Sequence, residues 1–183
     1  MSYSNGNTYK GYWKKNRRHG KGVFKSKTTG KFDGDFKDDI NEGFGVWYKL
    51  NGDIYSGEWK DGQMHGRGVI NYIDGSQFEG EFKHGMRDGY GIDITSTGEK
   101  IKGQWKQGKS NGKFLLENAD GKWEQTFIDG EPEGNGVFTF KNGLKWEGKF
   151  QNDEYQAATF PNLFEWIGSK IDSYFQGNHL KAN

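Results

Sequence analysis

Polar and apolar residues alternate along most of the chain, and the alternation itself recurs every 23 residues, with one interval of 22 between Ile101 and Trp123. In one copy the run from Tyr55 to Trp59 alternates ring or glycine with polar residues, the period-two pattern of a strand with one solvated face. A second alternating run, Gly66 to Tyr72, follows the turn signal Asp61-Gly62. The pattern predicts a β-hairpin that is repeated along the chain.

Three columns of this repeat, two residues apart, hold a ring, a glycine and a second ring. The first column contains Tyr9, Phe32, Tyr55, Phe78, Ile101, Trp123 and Trp146. The glycine column contains Gly11, Gly34, Gly57, Gly80, Gly103 and Gly148, with Gln125 as the exception. The second ring column contains Trp13, Phe36, Trp59, Phe82, Trp105, Phe127 and Phe150. A fixed period of this length indicates stacked small units, and we interpret these residues as the packing positions of the repeat.

The repeat predicts an all-β fold: an elongated, twisted, single-layer antiparallel β-meander of about 13 strands. Residues 1–8 form an N-terminal extension, residues 9–154 form six full repeats and a partial one, and residues 155–183 form a tail. Asn-Gly and Asp-Gly pairs at the junctions between units predict type I′ turns. These junction pairs are Asn51-Gly52, Asp74-Gly75, Asp120-Gly121 and Asn142-Gly143.

Each unit also carries a glycine pair two residues apart, such as Gly66 and Gly68, of which Phe114 replaces one member in the fifth unit. Glycine inside a strand normally costs stability. We expect it here because bare backbone leaves room for a ring from the neighbouring strand to lie over it. An aliphatic column follows the second glycine, on the opposite face, and either stays as a narrow apolar stripe or is covered. It comprises Val23, Val46, Val69, Ile92, Leu115 and Val137.

The tail changes period, and we predict a short C-terminal α-helix over residues 162–176, with Asn162 as its N-cap. Its apolar arc includes Leu163, Phe164, Ile167, Ile171 and Tyr174. The helix either caps the last strand or covers the aliphatic stripe. Alternatively, it contacts another protein. Insertion into a membrane surface is less favoured, because the polar face is not rich in lysine.

Composition changes this picture in two ways. Hydrophobic residues make up only 31% of the chain, and 30 of them are Trp, Tyr or Phe, so rings must supply most of the packing. The chain has no cysteine, which excludes disulfides and thiolate metal sites. With a polar N-terminus and no apolar segment of about 20 residues, we expect a cytoplasmic location.

Charge is distributed unevenly. Residues 1–31 hold nine Lys or Arg and no acid, whereas residues 32–99 hold 14 acids and six bases. A basic cluster on the first hairpin is a candidate contact for a partner or for anionic lipid. The cluster consists of Lys14, Lys15, Arg17, Arg18 and Lys21.

No pattern of residues predicts catalysis. The four histidines are scattered through the sequence, and no glycine-rich stretch matches a phosphate-binding loop. We therefore expect no enzyme activity, no catalytic, cofactor or metal site, and no nucleic-acid partner.

The run from Tyr55 to Gly62, followed by His65-Gly66-Arg67-Gly68-Val69, resembles the MORN repeat (membrane occupation and recognition nexus). The resemblance covers Tyr9 to about Phe150 and implies an extended antiparallel sheet that acts as a scaffold. A chain made only of such repeats with a terminal helix looks most like axonemal, radial-spoke and cytoskeletal members. It implies a non-catalytic scaffold for protein-protein interaction in a large assembly of the cilium or cytoskeleton, with self-association open through the sheet edges. The alternative is a peripheral adaptor that binds an anionic membrane surface through the first repeat.

Overall fold

The computed structural model describes the backbone of residues 1–151 and 154–156 and the side chains of residues 1–148. The predicted helix, with Leu163, Phe164, Ile167, Ile171 and Tyr174, lies outside the described residues, as does the Phe150 side chain.

Within this part of the chain all regular secondary structure is β-strand. The strands are β1 (Thr8–Lys14), β2 (Arg17–Ser26), β3 (Gly30–Lys37), β4 (Ile40–Tyr48), β5 (Ile54–Lys60), β6 (Gln63–Asn71), β7 (Gln77–Lys83), β8 (Met86–Ile94), β9 (Lys100–Lys106), β10 (Lys109–Ser110), β11 (Gly112–Glu117), β12 (Gly121–Ile128), β13 (Glu131–Phe140), β14 (Lys145–Gln151) and β15 (Glu154–Gln156). Sheet order follows chain order, except that β9 pairs with both the two-residue β10 and β11. The predicted all-β, antiparallel meander is confirmed.

Contacts divide the chain into two compact units. The N-terminal unit comprises Met1–Met86 and Asp93–Gly98, and the C-terminal unit comprises Arg87–Ile92 and the described residues from Glu99 onward. Each unit has its own set of buried rings, which in the N-terminal unit includes Tyr9, Tyr55 and Phe78 and in the C-terminal unit Trp123 and Phe127.

Two-residue turns close the hairpins inside the repeats. At Asp61 and Gly62 the φ angles are 51° and 77°, so both central residues are left-handed, as a type I′ turn requires. The turn predicted there is confirmed. Five further pairs share this conformation, namely Lys15-Asn16, Asp38-Asp39, His84-Gly85, Gln107-Gly108 and Asp129-Gly130.

The turns between repeats differ from the prediction. At Asn51-Gly52 only the glycine has a positive φ. The Gly52 N–H donates to the Lys49 carbonyl at 3.2 Å, and the Lys49 N–H donates to the Asp53 carbonyl at 2.9 Å. Three residues therefore span this junction, as in a type I turn followed by a left-handed glycine. The type I′ prediction is wrong here because a three-residue connection needs only one left-handed position.

The same correction applies to Asp74-Gly75 and Asn142-Gly143, where only the glycine is left-handed. The Asp120-Gly121 junction is different again, because Gly121 is already the first residue of β12 and has no positive φ. Asn118 Oδ1 accepts the N–H groups of Asp120 and Gly121 at 2.9 and 3.2 Å. This side-chain turn closes the junction at which the repeat is one residue shorter.

The N-terminal extension runs back along the edge of β1. The Met1 ammonium donates to the Tyr9 carbonyl at 2.7 Å, and the Tyr9 N–H donates to the Met1 carbonyl at 2.9 Å. Ser2 and Thr8 form an antiparallel bridge beside this pair. The start of an edge strand that would otherwise present unpaired backbone groups is thus covered.

Candidate protein-interaction surface

One face of the sheet in the N-terminal unit, here called the ring face, carries both predicted ring columns. The centre of the Tyr55 ring lies 5.4 Å from that of Trp59 in its own repeat and 5.2 Å from that of Phe82 in the next, and the Tyr55 ring is nearly perpendicular to both. The same two contacts recur in the preceding repeats, where Tyr9 and Phe32 each touch the second ring of the next repeat. Edge-to-face pairs at this spacing are the favoured geometry for aromatic rings. The rings therefore link successive hairpins.

Most of these rings are buried. Tyr55 and Phe78 are fully buried, whereas Trp13, at the β1 end, remains 41% exposed. In the C-terminal unit Phe114 lies 5.4 Å from Trp105 and 5.2 Å from Phe127.

In the first three repeats the second glycine of the pair keeps the backbone clear for a ring. Gly57 lies directly opposite Gly68, and the Tyr55 ring covers both. A Cβ on Gly68 would lie 2.5 Å from Tyr55 Cε2 and 2.6 Å from its Oη. The covering ring thus comes from two residues before Gly57 on the same strand. The expectation of a ring from the neighbouring strand holds for Gly68 but is wrong for Gly57.

The fifth repeat reverses this arrangement. Ile101 has no ring to place over Gly103, and the ring of Phe114 lies there instead, so a Cβ on Gly103 would overlap it. Phe114 occupies the position of the missing second glycine and is only 2% exposed. The two departures from the repeat therefore compensate for one another, and the ring comes here from another strand.

The first glycine of each pair has a different role. Gly66 has a φ of +55°, at a point where the register between β5 and β6 shifts between Gly57 and Glu58. A left-handed residue at such a bulge favours glycine. The Glu58 carboxylate accepts the N–H of Arg67 beside it at 2.9 Å, which fixes the bulged backbone.

The hairpin turns dock on the preceding repeat. The Gly85 N–H donates to the Met64 carbonyl at 3.0 Å, and the Gly62 N–H donates to the Asn41 carbonyl at 3.1 Å. A side chain also joins a turn to the preceding repeat, because Glu42 Oε2 accepts the Asp61 N–H at 3.0 Å. At the equivalent point in the next repeat, the His65 and His84 rings lie 6.3 Å apart. The turns are therefore held at fixed positions along the ring face.

A groove of about 400 Å³ lies on the ring face of the N-terminal unit. Its aromatic wall includes Trp47 and Trp59, whose rings are 6.1 Å apart. Backbone carbonyls hold both indoles, because Trp47 Nε1 donates to Thr29 at 2.8 Å and Trp59 Nε1 donates to Gly45 at 3.2 Å. The remaining lining residues are Arg18, Phe24, Thr29, Gly30, Phe32, Asn41, Gly62, Gln63, Met64, His84 and Gly85. The groove thus combines fixed rings with a polar rim, as binding sites commonly do.

Arg18 is anchored inside the fold. Its Nε lies 3.1 Å from Asp39 Oδ1, its Nη2 donates to the Asp39 carbonyl at 2.7 Å, and its guanidinium carbon lies 4.6 Å from the centre of the Phe24 ring. The Arg18 backbone N–H, followed by its side chain, lowers the pKa of the Asp39 carboxyl. Sequence reasoning missed Asp39, although its equivalence to the turn residue Gly62 places it near the preceding repeat.

The other members of the basic cluster remain accessible. Lys14, Lys15 and Arg17 are exposed, with Lys15 in the hairpin turn. Lys21 Nζ lies 3.2 Å from Asp35 Oδ1, yet the Lys21 side chain is 80% exposed. The structure therefore brings four of the five predicted basic residues to the surface of the first hairpin.

Tyr55 shows how closed the ring packing is. Its Oη donates to the Glu58 carbonyl at 2.9 Å. Burial raises the pKa of the Tyr55 hydroxyl, with a smaller contribution from the nearby Glu58 carboxylate. The ring covers the glycines and its hydroxyl is satisfied, so Tyr55 has a structural role.

In the part of the chain with described side chains, no group of three or more His, Asp or Glu could hold a metal ion. Nor does any helix of the described residues have the length and apolar character to span a membrane.

Comparison with known proteins agrees with this repeat geometry. Residues 9–30, 32–54, 55–77, 78–92, 102–113 and 126–145 match the MORN repeat. The chain belongs to the MORN-repeat family. MORN repeats are non-catalytic modules that commonly serve protein or membrane interaction, which agrees with a scaffold role. Two longer gaps separate the later matches, residues 93–101 and residues 114–125. The second gap begins at Phe114 and ends at Gln125, two of the departures from the repeat. No curated protein matches the chain.

Proposed function

We propose that this MORN-repeat protein is a non-catalytic scaffold that binds other proteins in a large cytoskeletal assembly, the ciliary axoneme and its radial spokes. The observation that carries the proposal is the groove on the ring face. Trp47 and Met64 are half-buried there, so each still presents apolar surface to solvent. Tryptophan and methionine are enriched where proteins bind one another.

The rigidity of the groove supports this role. The two indole N–H bonds fix Trp47 and Trp59, and the turn hydrogen bonds fix the rim near Met64 and Gly85. A preformed site loses little conformational entropy when a partner inserts an apolar side chain. The location in the axoneme is part of this proposal and rests on the expected similarity to axonemal members of the MORN-repeat family.

The repeat itself supplies variants that test the groove. Met64 corresponds to Asn41 one repeat earlier, and His84 corresponds to Asp61 in the hairpin turn. Met64→Asn with His84→Asp therefore changes the groove while using residues that the fold already accepts. The matched control is Lys60→Gln with Lys83→Gln, two exposed lysines on strands β5 and β7.

The measurement is retention in detergent-extracted axonemes of cells that express each tagged chain in place of the native one. We expect the wild type and the control to stay with the axoneme and the groove variant to be lost at least fivefold, at equal expression and melting temperature. Equal retention of the groove variant would refute groove binding. A wild-type chain that is entirely extracted would refute the axonemal location.

The exposed basic residues support the second candidate function, binding of an anionic membrane surface. Lys14, Lys15 and Arg17 lie on the first hairpin with Tyr12, which is 72% exposed. Clusters of this kind attract anionic headgroups, at about 1 kcal/mol per basic residue near the surface. Arg18 is omitted because it is held by Asp39.

The test is flotation with vesicles of phosphatidylcholine containing phosphatidylserine or a phosphoinositide, at physiological salt. Lipid binding predicts that the wild type floats and that Lys14→Glu with Arg17→Glu does not. The control, Lys106→Glu with Lys109→Glu, reverses two exposed lysines of the C-terminal unit. A wild type that does not float, or a Lys14/Arg17 variant that floats equally well, would refute the lipid hypothesis.

A further inference from the structure

The face of the N-terminal unit opposite the ring face, here called the outer face, has an apolar centre. Phe44, Val46 and Tyr48 alternate with the ring-face residues of β4 and therefore project from the outer face. Phe44 is 55% exposed and Tyr48 is 37% exposed. Ile54, opposite Tyr48 on β5, is half-buried. Four apolar side chains thus lie on two adjacent central strands.

Charges of opposite sign flank this centre. On one side β2 presents Lys21 and Lys25, both exposed. On the other side β7 presents Glu79 and Glu81, which are also exposed. The next strands inward carry charges of the opposite sign to their neighbours. Strand β3 carries Asp33 and Asp35 beside the lysines of β2, and β6 carries Arg67 beside the glutamates of β7.

From this arrangement we propose that the outer face binds a second copy of the chain about a two-fold axis between β4 and β5. That axis runs along the strands and sets β2 of one copy over β7 of the other, so Lys21 faces Glu81 at both ends of the interface, with Glu79 between the levels of Lys21 and Lys25. It also sets β3 over β6, where Asp35 faces Arg67. On the central strands Tyr48 meets Ile54, Val46 meets Ser56 and Phe44 meets Glu58. An isologous interface requires this self-complementarity.

The face is large enough for a stable dimer. Six strands spaced about 4.8 Å apart, with about seven residues each at about 3.3 Å, cover about 660 Å². Two copies would therefore bury about 1,300 Å², which lies within the range of specific interfaces, about 1,200–2,000 Å². Face-to-face packing of two sheets with aligned strands is a common arrangement. The dimer leaves the ring face open, so it is independent of groove binding.

Sedimentation velocity of the full chain at micromolar concentration, in low and in physiological salt, tests the dimer. The basic variant is Lys21→Glu with Lys25→Glu, and the acidic variant is Glu79→Lys with Glu81→Lys. We expect each alone to dimerise at least tenfold more weakly than the wild type. An equimolar mixture of the two variants should form a heterodimer, because the reversed β2 of one variant then faces the reversed β7 of the other and the two native strands face each other at the opposite end.

The quadruple variant restores complementarity at both ends and should dimerise like the wild type. Lys106→Glu with Lys109→Glu is the matched control and should leave the dimer unchanged. A wild type that remains monomeric would overturn the proposal, including one that instead floats with anionic vesicles. Reversal variants that dimerise normally, or that fail to associate when mixed, would overturn it as well, because the interface would then lie elsewhere.

Discussion

Adding one methyl group at Gly57 should destabilise the sheet strongly. A Cβ at that position would lie 2.5 Å from Tyr55 Oη, 2.6 Å from Gly68 Cα and 2.7 Å from the Arg67 carbonyl oxygen. Ordinary Cβ contacts are 3.4–4 Å. Two of the three contacts are with backbone atoms, so a rotamer change of Tyr55 alone cannot relieve the overlap.

The magnitude follows from two losses. Overpacking of a filled site costs about 1–3 kcal/mol. A displaced Tyr55 ring also weakens its perpendicular contacts with Trp59 and Phe82, each worth about 0.5–1.5 kcal/mol. Replacing glycine with alanine returns about 0.4–1 kcal/mol through the unfolded chain. We therefore expect Gly57→Ala to lower the free energy of unfolding by about 2–4 kcal/mol and the melting temperature by about 5–15 °C.

The assay is thermal and urea unfolding followed by circular dichroism and tryptophan fluorescence. Gly85→Asn is the control, because nothing lies within 4 Å of that Cβ and Asn16 already holds the same left-handed turn position. It should cost less than about 1 kcal/mol. In a Tyr55→Ala background the Gly57→Ala penalty should fall by at least 1 kcal/mol, because the ring is gone. Equal penalties in both backgrounds, or a Gly57→Ala cost no larger than that of the control, would refute the packing argument.

Three further predictions concern charge and register. Burial raises the pKa of the Tyr55 hydroxyl above its ordinary value of about 10. The neutral hydroxyl therefore stabilises the fold below about pH 10, and this stabilisation is lost as pH rises further. Tyr55→Phe should reduce the fall in melting temperature between pH 9 and 11.5, and an equal fall in the wild type and the variant would contradict this. Arg18 lowers the pKa of the Asp39 carboxyl, so the pair stabilises the fold above about pH 3.9 and the stabilisation is lost as pH falls. Asp39→Asn should therefore lower the melting temperature at pH 7 but not at pH 2. An equal loss at both pH values would show that the Asp39 charge does not stabilise the fold. Phe114→Gly should cost about 3–5 kcal/mol, and adding Ile101→Phe, which restores the ordinary repeat, should recover at least half; no recovery would show that the two positions do not exchange roles.

The repeat period was sufficient to predict the fold and most of its packing residues. The unit recurs at a fixed distance, and within it a ring, a glycine and a second ring lie two residues apart, as Tyr55, Gly57 and Trp59 do, which is the spacing that a strand places on one face. The period could not show which strand supplies each covering ring, because that depends on the register across strands. In the sequence Phe114 is only an exception to the glycine pair, whereas the structure shows that its ring replaces the one that Ile101 lacks.

The candidate site was less predictable. The groove depends on Trp47 and Met64, which belong to neither ring column, and on turns that return to the preceding repeat. Among the basic residues, sequence alone could not separate Arg18, which Asp39 holds, from the exposed Arg17. The outer-face dimer likewise needs the pairing register, because only that register places Glu79 and Lys21 at opposite ends of one surface.

Hydroxyl-radical footprinting of the chain, purified and assembled in isolated axonemes, tests most directly whether the ring face is the binding surface. Oxidation of Met64 and Trp47 is read by mass spectrometry, with Tyr12 as an exposed reference on the first hairpin. The groove account predicts at least fivefold slower oxidation of Met64 and Trp47 in the assembly and little change at Tyr12. Unchanged oxidation of the two groove residues, with protection confined to Tyr12, would contradict it.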